Sequence, residues 1–134
     1  DAKQDIESAI DFAFKKNHNK PIILVGSSYS ASLSLLIAKD ADKVKAVAVF
    51  SPGEYLKSIE LSQAIKDFSK SIFATSAKKE VIDMKKLFRF VSKEYISYFL
   101  PTVDGFHGAK SLWPSSNGNE QYWKAFLSFL KSLK

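Results

Sequence analysis

The chain reads as an α/β protein, a parallel sheet of about four strands with helices on both faces. Three observations predict this. Short, nearly all-apolar runs recur along the sequence. They alternate with longer segments whose apolar residues follow helical spacing. The 134 residues, 46% hydrophobic, are enough for one real core. Nearly continuous apolar strands between amphipathic helices are the signature of a parallel sheet covered on both sides.

The elements follow in order. Asp5 to Lys16 carries Ile6, Ala9, Ile10, Ala13 and Phe14 at helical spacing. Pro21 to Val25 is a first strand. A helix follows Ser28, with Leu33, Leu36 and Ile37 on one face. Val44 to Phe50 is a second strand, apolar but for Lys45. Leu56 to Phe68 has helical spacing in Leu56, Ile59, Leu61, Ala64, Ile65 and Phe68. Ser71 to Ser76 is a third strand. Val81 to Lys93 reads as a helix with Met84, Leu87, Phe88 and Val91 on its buried side. Tyr95 to Leu100 is a fourth strand, and Asn119 to Leu133 a closing helix. Tyr122, Trp123, Phe126, Leu127, Leu130 and Leu133 give that last helix a broad apolar stripe, expected to pack on the sheet rather than on a membrane surface. No internal repeat or low-complexity linker interrupts the order.

Composition excludes several classes. The net charge is +6, but the lysines are spread out and Arg89 is the only arginine. No basic cluster interleaved with aromatic residues stands out, so nucleic acid is not an expected partner. There is no cysteine, which removes disulfides, thiolate metal sites and a cysteine nucleophile without fixing the compartment. Two distant histidines are too few for a transition-metal site, and no phosphate-cradling glycine motif is present. Neither metal nor cofactor is expected. No apolar run is long enough for a membrane span.

The most informative segment is Ile22-Ile23-Leu24-Val25-Gly26-Ser27-Ser28-Tyr29-Ser30, leading into Ala31 to Ala38. It reads as a buried strand, a tight turn holding Ser28, and a helix. Such a turn lifts the serine hydroxyl out of the sheet, with the first helical N–H groups ready to stabilise negative charge. Gly26 and Ser30 flank Ser28 two residues away on either side, and both are small. This motif resembles the nucleophile elbow of α/β-hydrolases, G-x-S-x-G, with Ser30 where the second glycine is usual.

A nucleophilic serine needs a base, and there are two histidines. His18 precedes the first strand. A strand of that length spans roughly 17–20 Å, which puts His18 at the opposite end of the sheet. His107, in Val103-Asp104-Gly105-Phe106-His107-Gly108, follows the fourth strand and belongs at the same end as Ser28. If Ser28 is the nucleophile, His107 is its base. The family's order of serine, acid, histidine then places an acid between them. Aligned with the family, Glu80 falls on the acid position, after the third strand. Glu54 and Asp104 also follow strands and remain alternatives.

The resemblance runs over almost the whole chain and covers the latter half of the α/β-hydrolase fold. It is nearest to small dienelactone-hydrolase-like or carboxylesterase-like enzymes. It implies one domain over residues 1–134, or a fragment lacking the N-terminal strands. The activity implied is hydrolysis of an ester-like small molecule through a Ser28–Glu80–His107 triad and an acyl-enzyme. Tyr29 N–H is the expected oxyanion donor, and Phe106, Leu112, Trp113 and Tyr29 the expected apolar walls. The family's second oxyanion donor comes from a loop in the absent half. Losing such a donor typically costs about 2.7–4 kcal/mol of transition-state stabilisation. The alternative is therefore a weak or inactive hydrolase-like domain that binds a ligand or partner. A third reading takes the helix start after Ser28 as an anion site, though no lysine lies in that loop. The strand Ile22 to Val25, apolar on both faces and without charge, proline or evident bulge, is an interior strand in the resembling fold. A second copy of the chain, as a homodimer, or an N-terminal segment is expected to cover its edge.

Overall fold

A computed structural model of the chain describes residues 1–133. The elements are α1 (Ala2–Lys16), β1 (Ile22–Ser27), α2 (Tyr29–Ala38), β2 (Val44–Phe50), α3 (Leu61–Ala64), β3 (Ser71–Thr75), α4 (Val81–Leu87), β4 (Ile96–Phe99) and α5 (Asn119–Ser132). The four strands form one sheet in the order β1-β2-β3-β4, and every neighbouring pair is parallel. The carboxyl ends of all four strands therefore lie along one rim.

Alternation along the strands builds two cores. Ile22, Leu24, Val47, Val49, Ile72 and Ala74 face the larger one, which α1, α2, α3 and α4 cover with residues such as Ile10, Leu35, Leu61 and Met84. Ala46, Ala48, Phe50 and Phe73 face the other, closed by Phe126 and Phe129 of α5. Helices thus lie on both faces of the sheet. Phe126 meets Phe50 edge-to-face at 5.5 Å and Phe73 at a tilt at 5.6 Å between ring centroids, within the range where aromatic pairs attract.

Several boundaries differ from the sequence reading, each for a local reason. The expected helix Leu56 to Phe68 shrinks to the single turn α3. Ser58 has a φ of 62°, which no helix tolerates, and the Glu54 carboxylate accepts from Leu61 N at 2.6 Å and Ser62 N at 3.1 Å, capping a helix that starts there. Leu56 is still buried, so the apolar spacing reflected burial and not helicity. The expected helix to Lys93 ends at Leu87. Arg89 N bonds to Lys86 O and Val91 N to Phe88 O, three residues back, which tightens the chain into turns. In α5 the buried stripe is Tyr122, Phe126 and Phe129, while Leu127 and Trp123 are exposed. α2 is buried nearly all round, since Ala31, Ser32 and Ser34 are small enough to let it lie against the sheet, α1 and α3.

Among the described residues β1 pairs only with β2 and forms one edge of the sheet. The register shifts between Ile22 and Ile23, with Lys45 the extra residue on β2. This irregularity, not evident in the sequence, lies on the paired side of β1. Val25 is 50% exposed on this edge strand. Among the described residues no helix is long and apolar enough to cross a membrane.

Candidate active site

The rim of strand carboxyl ends gathers the polar residues singled out above. Ser28 follows β1 with φ 57° and ψ −123°, a conformation that costs a residue with a Cβ about 1–3 kcal/mol unless its surroundings enforce it. Here they do. Ser28 N donates to Phe50 O at 2.8 Å, and Ser28 O accepts from Ala31 N and Ser32 N at the start of α2. Ser30, in place of the usual glycine, ties the turn together. Its hydroxyl donates to Ser27 O at 2.8 Å and accepts from Ser27 N at 3.1 Å. Gly26 is required by close approach, because a Cβ there would lie 2.7 Å from Ala31 Cα and 2.8 Å from Ser30 O.

His107, in the loop after β4, lies with Nε2 2.7 Å from Ser28 Oγ and Nδ1 2.5 Å from Glu80 Oε2. An ionised carboxylate only accepts, so Nδ1 carries the ring proton and donates it to Glu80. Nε2 is then the free acceptor for the Ser28 hydroxyl. Glu80 closes a short 3-10 turn, Lys78–Glu80, just after β3. Its Oε1 accepts from Ser51 Oγ at 2.8 Å and from Ala77 N at 3.1 Å. Burial works against its charged form, but the hydrogen bonds from His107, Ser51 and Ala77 outweigh it and hold the carboxyl below its ordinary 4.5.

The other acids are placed elsewhere. Glu54 caps α3 as described. The carbonyl of Asp104 accepts from Lys78 N, and the carboxylate on His107 Nδ1 is that of Glu80. His18 precedes β1 and so lies at the end of the sheet remote from Ser28. Tyr29 opens α2, where the first amides have no partner within the helix. Phe106 and Trp113 lie together, with the Lys110 ammonium 5.0 Å and 5.6 Å from their ring centroids. Leu112 is half-buried against the α5 core.

Two residues of this rim were missed by sequence reasoning. Tyr55 sets its ring edge-on to His107, 6.4 Å between centroids. It also lines a groove of about 760 Å³ with Pro52, Gly53, Ile59, Glu80 and Leu87, which Ser28 and His107 do not line. Burial, and then the Glu80 carboxylate, pushes the Tyr55 hydroxyl up from its ordinary value. Ser51 is the other, in contact with both Glu80 and the His107 loop. Ser51 follows β2 directly and Tyr55 lies four residues further along the same loop, and that place after a strand's carboxyl end was the available signal. Among the described residues no cluster of three or more histidine or acidic side chains is placed to hold a metal ion.

No protein-family profile and no curated protein sequence matches the chain. Among solved structures, the crystal structure of the esterase domain from a Rhodothermus marinus protein superposes with a TM-score of 0.71 at 14% identity, covering 97% of this chain and 67% of that one. The chain thus has an esterase-like α/β fold.

Proposed function

We propose that the chain is a serine hydrolase that cleaves a small ester-like substrate through an acyl-enzyme. One observation carries this reading, the unbroken line of hydrogen bonds from Ser28 Oγ through His107 to Glu80. Nucleophile, base and orienting acid at these separations are what acyl transfer requires. The esterase-like fold supports it.

In this mechanism Ser28 Oγ attacks the ester carbonyl carbon as its proton passes to His107 Nε2. The carbonyl electron pair moves onto oxygen, where Tyr29 N–H, at the positive end of α2, stabilises it. Collapse breaks the bond to the leaving alkoxide, which takes the proton from Nε2. Water then attacks the acyl carbon as its proton passes to Nε2, and collapse breaks the bond to Ser28 Oγ, which takes that proton back as the acid is released. Glu80 stays ionised throughout, holding the imidazole's tautomer and stabilising the imidazolium.

A second reading is favoured by the position of β1. Among the described residues no further strand lies beside it whose loop supplies a second oxyanion donor next to Ser28. This supports a weak or inactive hydrolase-like binding domain. A fluorophosphonate probe separates the two. Labelling that is lost in Ser28→Ala establishes an activated serine. A wild-type chain that does not label, with Ser28 accessible, overturns the hydrolase.

A further inference from the structure

Ser51 lies outside the line from Ser28 to Glu80, yet one hydroxyl ties together both partners of its inner bond. The residue is 1% exposed. Its Oγ donates to Glu80 Oε1 at 2.8 Å and accepts from Gly108 N, the amide following His107, at 2.7 Å. The one hydroxyl proton is committed to the acid, and a lone pair to the histidine loop. The backbone points the same way. Ser51 has a φ of 55°, a conformation that glycine adopts without strain. What serine adds to the turn is the hydroxyl.

We infer that Ser51 is a positioning residue for the proposed acyl transfer, an inference that rests on the serine-hydrolase reading. A glutamate carboxylate left to itself rotates about its side-chain bonds. With Oε1 held by Ser51 and Ala77 N, Oε2 is presented to His107 Nδ1. The same hydroxyl holds Gly108 N, so it sets where the loop delivers the imidazole. Acid and base are registered to each other and to the end of β2 by one atom. Ser51 acts only through Glu80 and His107, and a small misplacement of either is enough to slow the reaction.

The test compares Ser51→Gly with Ser51→Ala in the whole chain. Glycine keeps the turn and removes the hydroxyl, whereas alanine removes the hydroxyl and keeps the strain. Both variants are expected to lower kcat on a short-chain aryl ester about 10- to 100-fold, the worth of a hydrogen bond to a charged group, with KM unchanged. In proton NMR the far-downfield resonance of the His107 Nδ1–H should broaden or disappear in both, while the signals of the remote His18 stay in place. Loss of activity in Ser51→Ala alone would show that the turn matters and the hydroxyl does not, overturning the inference. So would wild-type kcat together with an unchanged Nδ1–H resonance in Ser51→Gly. The NMR measurement needs no turnover. If wild type neither labels with fluorophosphonate nor cleaves esters, the hydrolase reading fails, and the resonance alone decides whether Ser51 holds the Glu80–His107 pair.

Discussion

His107 Nε2 stands 2.7 Å from Ser28 Oγ although 79 residues separate them in the chain. The parallel sheet is what closes that distance. Ser28 follows β1, Glu80 follows β3 and His107 follows β4, so all three come to the same rim. Contacts between the loops then fix the meeting in detail, Gly108 N donating to Ser51 Oγ at 2.7 Å and Ala109 N to Ser27 Oγ at 2.9 Å.

That relationship makes a graded prediction. Ser28→Ala and His107→Ala should each reduce hydrolysis of a short-chain aryl ester to background, since the nucleophile and its base act as one unit. Glu80→Ala should cost less, because the acid orients and stabilises the base and makes no bond to substrate. Steady-state kinetics on the three variants checks the order. Equal rates in wild type and Ser28→Ala would place any turnover elsewhere.

Gly26 tests the turn beneath Ser28. A methyl group there meets Ala31 Cα and Ser30 O, both main-chain atoms that cannot swing aside. Gly26→Ala should therefore destabilise the fold by about 1–3 kcal/mol, as overpacking does, and push the start of α2 away from β1. Urea unfolding gives the first quantity. A fluorophosphonate labelling rate falling more than the folded fraction would show that Ser28 has moved.

The sheet and the rim were legible in the sequence because they depend on spacing. Apolar runs and helical periodicity located each strand, and the order of strands put Ser28 and His107 at one end. Side-chain direction was not legible. Glu54, Glu80 and Asp104 all follow strands, and spacing does not say which carboxylate turns toward an imidazole. Glu54 turns instead onto the amides of Leu61 and Ser62. The loop 53–60 was hidden because Leu56, Ile59 and Leu61 mimic a helical stripe while a positive φ at Ser58 breaks it. With that loop went Tyr55. Ser51 stands just past the expected end of the second strand at Phe50, and nothing in its neighbours announces two buried hydrogen bonds.

The free edge of β1 leads to a prediction about association. Main-chain groups on the side away from β2 lack a strand partner, and Val25 presents an apolar side chain there. Edges of this kind template pairing with other chains, and a lysine is a common way to blunt them. Light scattering should show self-association that rises with concentration and falls in Val25→Lys. A wild-type chain that stays monomeric at high concentration would show that the edge is inert.

The acid range gives the last prediction. Glu80 in the folded chain is held below its ordinary 4.5, with burial opposing the shift and the hydrogen bonds from His107, Ser51 and Ala77 producing it. A depressed carboxylate binds fewer protons folded than unfolded, so its contribution to stability is fully present above about 4.5 and is lost as pH falls through the lowered native value. Glu80→Gln cannot titrate. The urea midpoint of wild type should therefore fall more steeply on acidification than that of Glu80→Gln, with a constant gap above that window and a narrowing one within it. Asp11, which a hydrogen bond and charge from Lys43 also lower, titrates alike in both chains and cancels. Parallel midpoint curves across the acid range would mean that the ionised Glu80 contributes nothing to folding, and that its hydrogen bonds only match what water offers the unfolded chain.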